Sequence, residues 1–255
     1  MKRWLTFLPP GIVLAAVTAM LVHGPIPQLA NYHDFADQSV LLGLPHGADV
    51  ASNLGFALVG LWGWLCLFPE RDHPALRAGW PGYGLFLAAL TLTAVGSSFY
   101  HWAPDNARLL WDRLPIALAC AGLLAAVRGE TRSETNCGMD TISLAAFAVG
   151  SVAWWYLTES LGRGDLRPYL LLQGAPLALV PLWQWIYGAP RADRVWFGAA
   201  LGFYIHAKGA EVYDHQLLAA LGWISGHTLK HLLATAAAWL LVWRLAGRVR
   251  SPRED

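Results

Sequence analysis

Eight apolar stretches, each near the length of a bilayer crossing, divide this chain; they fall near 4–23, 49–68, 82–101, 107–127, 141–158, 168–187, 195–210 and 226–246. A hydrocarbon core about 30 Å thick is crossed by a helix of about 20 residues. No water serves the peptide groups inside it, so such stretches must satisfy their own hydrogen bonds as helices. Only 14% of the residues are charged, against roughly 25% in an ordinary soluble domain, too few to coat eight apolar helices with a soluble surface. The expected fold is all-α, a polytopic transmembrane helix bundle. The longest connection, about 24–48, is too short for a separate domain, so residues 1–255 read as a single membrane domain. The stretch 195–210 is the weakest span, because His206 and Lys208 interrupt it and Glu211 and Asp214 follow.

Charge sets the expected orientation. Of the 18 Lys and Arg residues, only Arg108, Arg113, Arg163, Arg167, Lys208 and Lys230 fall on or near one face; the rest, from Lys2 and Arg3 to Arg253, gather on the other. An excess of positive charge marks the cytoplasmic side, which puts both termini in the cytoplasm of a cell (inner) membrane. The start, Met1-Lys2-Arg3 before an apolar run, also resembles a signal peptide, but no small-x-small cleavage site follows. Segment 4–23 therefore reads as an extra helix or an uncleaved signal anchor. Cys66, Cys120 and Cys137 lie far apart without C-x-x-C spacing, which supports neither a disulfide framework nor a cysteine metal site. The net charge of +1 comes with no basic run interleaved with aromatics, so nucleic acid is not an expected partner.

Ionisable side chains in apolar helices are functional candidates by default, and three histidines stand out. His227 and His231 open the last span at i, i+4, and His101 closes the third. Residues four apart share one helix face, about 5–6 Å apart at Cβ, so His227 and His231 can address one ion. Ser97 stands in the same relation to His101, with Ser98 a weaker competitor, and the tight connection 102–106 can return Asp112 to the side of His101. Three imidazoles leave the fourth tetrahedral position of zinc open, as catalytic rather than structural sites do. Water held there can reach a pKa of about 7, a carboxylate such as Asp112 can take its proton, and a hydroxyl such as Ser97 can steady an oxyanion. By charge topology the cluster lies toward the non-cytoplasmic side. Each piece also has a plainer use: His101 as an interfacial cap, Ser97 and Ser98 as small residues for helix packing, Asp112 as a helix N-terminal charge.

The ordered set Ser97-x-x-x-His101, Asp112-Arg113-Leu114-Pro115 and His227-x-x-x-His231 resembles the alkaline ceramidase family. That family belongs to a superfamily often called CREST, which also holds the progestin and adipoQ receptors and the Per1-like lipid-remodelling proteins. The stretch Asp49-Val50-Ala51-Ser52-Asn53-Leu54 is similar to the start of the family's first core helix, and the likeness runs over about residues 31–246. It implies a seven-helix core over 49–246 preceded by the extra helix 4–23. It implies a membrane-embedded zinc-dependent amide hydrolase of sphingolipid metabolism acting on ceramide or a related N-acyl lipid. His101, His227 and His231 would hold Zn2+, Asp112 would be the general base, and Ser97 would stabilise the oxyanion.

The chain also departs from the family. Calcium-dependent alkaline ceramidases carry Asp-Trp-x-Glu-x-Asn near the amino terminus with a further Glu; here the stretch is Asp34-Phe35-Ala36-Asp37-Gln38-Ser39, with His46 at the later acidic position. A Ca2+ site at Asp34 and Asp37 is thus a weak match, since calcium needs several oxygen ligands; a polar, solvated loop is the alternative. Lys208, Glu211 and Asp214 read as local ion pairing, with a network near the site as the alternative, and Arg113 and Lys230 as flanking charges for a lipid head group or the interface. A receptor or sensor of the progestin and adipoQ type, binding lipid around a structural zinc, is the alternative function. A transporter fits less well, because no paired half-helices or inverted repeat are visible.

Overall fold

The computed structural model describes residues 3–132 and 137–250; Lys2 and Arg253, used above for the charge bias, lie outside the described residues. It is an all-α bundle. A short 3-10 turn (Arg3–Phe7) leads into α1 (Leu8–His23), followed by α2 (Gly47–Ser52), α3 (Leu54–Leu67), α4 (Trp80–Trp102), α5 (Asn106–Thr131), α6 (Gly138–Ser160), α7 (Arg167–Ile186), α8 (Arg191–Val212), α9 (Asp214–Leu221) and α10 (Gly226–Arg250). Every predicted apolar stretch is helical.

Six of these segments are long and apolar enough to cross a membrane: Trp4–His23, Gly47–Leu67, Trp80–Trp102, Asn106–Thr131, Gly138–Ser160 and Gly226–Arg250. The chain is a multi-pass membrane protein. The expectation of eight spans is met by six on that criterion. Helix α7 has the length but carries Gln173, Gln184, Pro176 and Pro181 within it, and α8 carries Arg191, Asp193 and Arg194 at one end and His206, Lys208 and Glu211 toward the other.

The loop 24–48 contains a two-stranded hairpin, β1 (Val40–Leu41) and β2 (Leu44–Pro45), paired Val40↔Pro45 and Leu41↔Leu44. Its two turn residues, Leu42 (φ 52) and Gly43 (φ 81), both have positive φ, as a two-residue turn that matches strand twist requires.

Residue contacts gather into two compact units, Met1–Leu29 with Arg71–Phe86 and Ala117–Val195, and Ala30–Glu70 with Leu87–Ile116 and Trp196–Asp255. In the first, α7 packs on α1 and α6. Asp165 ties these elements at one end: it takes a two-pronged ion pair from Arg167 (2.8 Å to each oxygen), the Trp154 indole N–H (3.0 Å) and the Ile26 amide (3.4 Å). The Arg167 guanidinium, helped by Trp154 and the backbone amides and opposed by burial, holds the Asp165 carboxyl well below the usual carboxylate range. In the second unit α10 packs against α2, α3 and α9, and every residue of the histidine cluster belongs to it.

Candidate metal centre

Three local devices bring the histidines together, beginning at the start of α10. Ser225 caps the helix by accepting the Thr228 amide at 2.9 Å, and Asp214 accepts the His227 amide at 2.7 Å. Both answer the unpaired donors of a helix amino terminus. Gly226 is needed for the close approach: a Cβ there would overlap the Ala210 carbonyl and lie 2.6 Å from the Asp214 Cα. With that end fixed, His227 and His231 project from one face, their rings 4.9 Å apart and 4% and 2% exposed.

The second device joins α4 to α5. Pro115 has no N–H and cannot bond the Trp111 carbonyl four residues back, and that carbonyl meets Gly96, where a Cβ would overlap it. The contact joins α4 to α5 one residue before Ser97, whose hydroxyl neighbours Asp112. Asp105, rather than Asp112, caps α5, accepting the Arg108 amide at 2.7 Å, so the plain capping use of Asp112 does not hold. Asp112 lies within the helix, 4% exposed, with Ser97 as its hydrogen-bonding neighbour and its Oδ1 without a partner among the described residues.

The third device is the break between α2 and α3. The Asn53 amide turns to the Val50 carbonyl (3.3 Å), three residues back instead of four. The Asp49 carbonyl is left to the Asn53 side chain (2.9 Å), the Ser52 hydroxyl (2.9 Å) and His231 Nδ1 (3.2 Å).

His101, completely buried, completes the cluster, its ring 4.6 Å from His227 and 5.0 Å from His231. One nitrogen from each histidine lies within 4.8 Å of the others, a set that could hold a metal ion. The donor chemistry fits zinc, which takes imidazole nitrogens readily. Two observations support the fit. Both ring nitrogens of His101 are buried without a hydrogen-bond partner among the described residues, which is costly unless something else binds them. His231 Nδ1 also lies 2.8 Å from Ser52 Oγ, whose one proton goes to the Asp49 carbonyl, so Nδ1 is the donor and Nε2 keeps its lone pair.

Sequence reasoning gave Phe35 and His33 no role at the cluster, and read Asp214, Lys230 and Arg113 as paired or flanking charges. Phe35 covers the cluster, its ring 4.6 Å from both His101 and His227. Asp214 also accepts the Ala36 amide at 2.9 Å, which fastens the Phe35 segment. His33 bonds Tyr100 (2.9 Å) and Asn106 (3.0 Å), adding a second tie from the loop to α4 and α5. Lys230 is no free head-group ligand: it pairs with Glu211 at 2.7 Å and lies 3.1 Å from His227 Nε2, while Lys208 pairs with the other Glu211 oxygen. The Arg113 guanidinium is buried over the Tyr32 ring at 4.9 Å.

The Asp34 and Asp37 region takes another form than an oxygen cage. Asp37 is 5% exposed and accepts the Ser39, Ala48 and Asp49 amides, each at 2.9 Å, capping α2 from a distance. Burial opposes its charged form, but hydrogen bonds from Ser39, Asp49 and Ala48 outweigh burial and hold its carboxyl below the usual range. Asp34 is exposed beside His215, 3.6 Å away. The stretch is solvated at Asp34, Gln38 and Ser39 and buried at Phe35, Ala36 and Asp37, so its two carboxylates have different surroundings. Comparison with known protein families, characterised proteins and solved structures returns no match to this chain.

Proposed function

We propose that this protein is a membrane-embedded, zinc-dependent amide hydrolase that cleaves the C–N bond at the acyl carbonyl of a lipid, with ceramide or a related N-acyl lipid as substrate. The observation that carries this reading is Asp112, a buried carboxylate with an idle oxygen on the helix joined at Gly96 to the one bearing His101. A metal that only braces the fold needs no such group nearby. The ordered resemblance to alkaline ceramidases supplies the amide and the lipid.

His101, His227 and His231 would hold the zinc and leave one coordination position open. When bound, zinc supplies Lewis acidity to water and to an acyl oxygen at neutral pH. Asp112 Oδ1 takes a proton from the attacking water and returns it to the leaving nitrogen as the C–N bond breaks, so one water is consumed and one fatty acid and one amine are released. Ser97 has a single O–H to give; it steadies Asp112 in the resting site and turns to the acyl oxygen as negative charge develops there. The charge bias assigns both termini to the cytoplasm and the centre to the opposite side.

A second reading is favoured by burial. All three histidines are at most 4% exposed, as in a receptor whose metal is structural and whose ligand binds elsewhere in the bundle. Asp112→Asn separates the two. It keeps the side chain's size and removes the base, so zinc is retained while release of fatty acid from lipid amides, read by mass spectrometry, slows by roughly 10²–10⁴. Wild-type protein that binds lipid but turns over no amide or ester, just as Asp112→Asn does, refutes the hydrolase.

A further inference from the structure

We propose that Asp49 is the positioning residue of the metal centre, its carboxylate setting the His101 imidazole and its carbonyl setting His231. The inference rests on the zinc reading above. Asp49 is completely buried, although a carboxylate in the first turn of α2 would ordinarily be explained by the helix amino terminus. That explanation fails, because the Ala48 and Asp49 amides are already taken by Asp37.

The two carboxylate oxygens of Asp49 have different surroundings. Oδ1 receives the Thr228 hydroxyl at 2.5 Å and the Ser225 hydroxyl at 3.1 Å. Oδ2 has no hydrogen-bond partner among the described residues and faces His101 Nδ1 at 4.0 Å. Two hydroxyls from the start of the helix that carries His227 and His231 therefore orient a carboxylate whose other oxygen points at the third histidine. A movement of about 1 Å brings that pair to hydrogen-bond length. The Asp49 carbonyl, freed by the break at Asn53, lies 3.2 Å from His231 Nδ1.

Holding a proton on Nδ1 keeps the Nε2 lone pair available, and raises its basicity as a ligand. Outer partners of metal-bound histidines of this kind are typically worth 10–100-fold in affinity. One residue so placed bears on the tautomer of two imidazoles on different helices, directly at His101 and, at His231, together with the Ser52 hydroxyl that donates to the Asp49 carbonyl. Asp49 touches no substrate in this scheme; it acts through His101 and His231.

The test uses the full-length protein in detergent, loaded with Zn2+ or Co2+ and titrated against a competing chelator. Asp49→Asn preserves shape and can still accept from Ser225 and Thr228, but offers His101 an N–H2 donor in place of an oxygen. Metal affinity should fall 10–100-fold, with a changed Co2+ visible spectrum and the helical content of wild type. Thr228→Val, which leaves Asp49 in place but releases Oδ1, should weaken binding in the same direction by less, and it decides the matter if Asp49→Asn does not fold. Wild-type affinity and spectrum in Asp49→Asn, or wild-type affinity in Thr228→Val when Asp49→Asn does not fold, overturns the inference alone. Wild-type protein that binds neither metal overturns it together with the zinc reading. Loss of affinity in Asp49→Asn, with no hydrolysis by wild type, upholds Asp49 and refutes the hydrolase.

Discussion

Gly96→Ala tests the contact that joins the helix of Ser97 and His101 to the helix of Asp112. The added methyl would overlap the Trp111 carbonyl oxygen and lie 2.8 Å from its carbon, where carbon atoms pack best at roughly 3.5–4.0 Å. Relief requires α4 and α5 to part by about 1 Å. Overfilling of this kind costs about 1–3 kcal/mol, while alanine's helix propensity returns about 1 kcal/mol. Gly198, in α8, is the control, since a Cβ there meets nothing within 4 Å. Thermal unfolding in detergent should show Gly198→Ala at or above the wild-type midpoint and Gly96→Ala several degrees below it, at roughly 2–4 °C per kcal/mol. A displacement of about 1 Å between catalytic groups also costs on the order of 10²-fold in rate, so turnover should fall more than zinc content. Equal midpoints and equal turnover for Gly96→Ala and Gly198→Ala would refute the account of how α4 meets α5.

Three further outcomes are expected. The protein should carry about one zinc per chain by elemental analysis, and the His227→Ala/His231→Ala double variant should lose it; stoichiometric zinc in that variant removes the centre. A membrane-impermeant chelator should inhibit right-side-out vesicles and spare inside-out ones until they are opened, and the reverse pattern inverts the orientation. The Asp165 carboxyl is held low in the folded chain, so the unfolded chain binds its proton first as pH falls. Its contribution is complete above about pH 4, the unfolded value, and fades below it. Asp165→Asn should therefore lower the unfolding midpoint between pH 5 and 8 by a constant amount that shrinks on acidification, whereas a gap that widens toward acid would contradict the assigned direction.

The helices and the His227/His231 pair were legible because both rest on local spacing: apolar runs fix helices, and i, i+4 pairs share a face whatever surrounds them; that His101 joins the pair from another helix came with the span topology and the family resemblance. What escaped depends on neighbours distant in the chain. Asp37 looked like half of an acidic loop site because nothing in its own segment reveals that the Ala48 and Asp49 amides turn back to it. Asp49 was given no role of its own for the same reason, its partners Ser225 and Thr228 lying far along the chain. Capping of α5 could have been assigned from spacing, since Asp105 stands three residues before Arg108 and Asp112 is already inside the helix. Proline and glutamine within α7, and charges near both ends of α8, lower their hydropathy without interrupting the helix, which is why the length of apolar stretches counted eight spans where hydropathy supports six.

Asp214 gives one oxygen to the Ala36 amide and the other to the His227 amide. The segment that covers the histidines and the helix that carries two of them are thus registered against each other through a single side chain. Any passage to the centre that opens by lifting Phe35 begins at a point fastened to the ligand helix itself. In the proposed hydrolase, a substrate large enough to displace Phe35 would therefore also pull, through Asp214, on the backbone at His227.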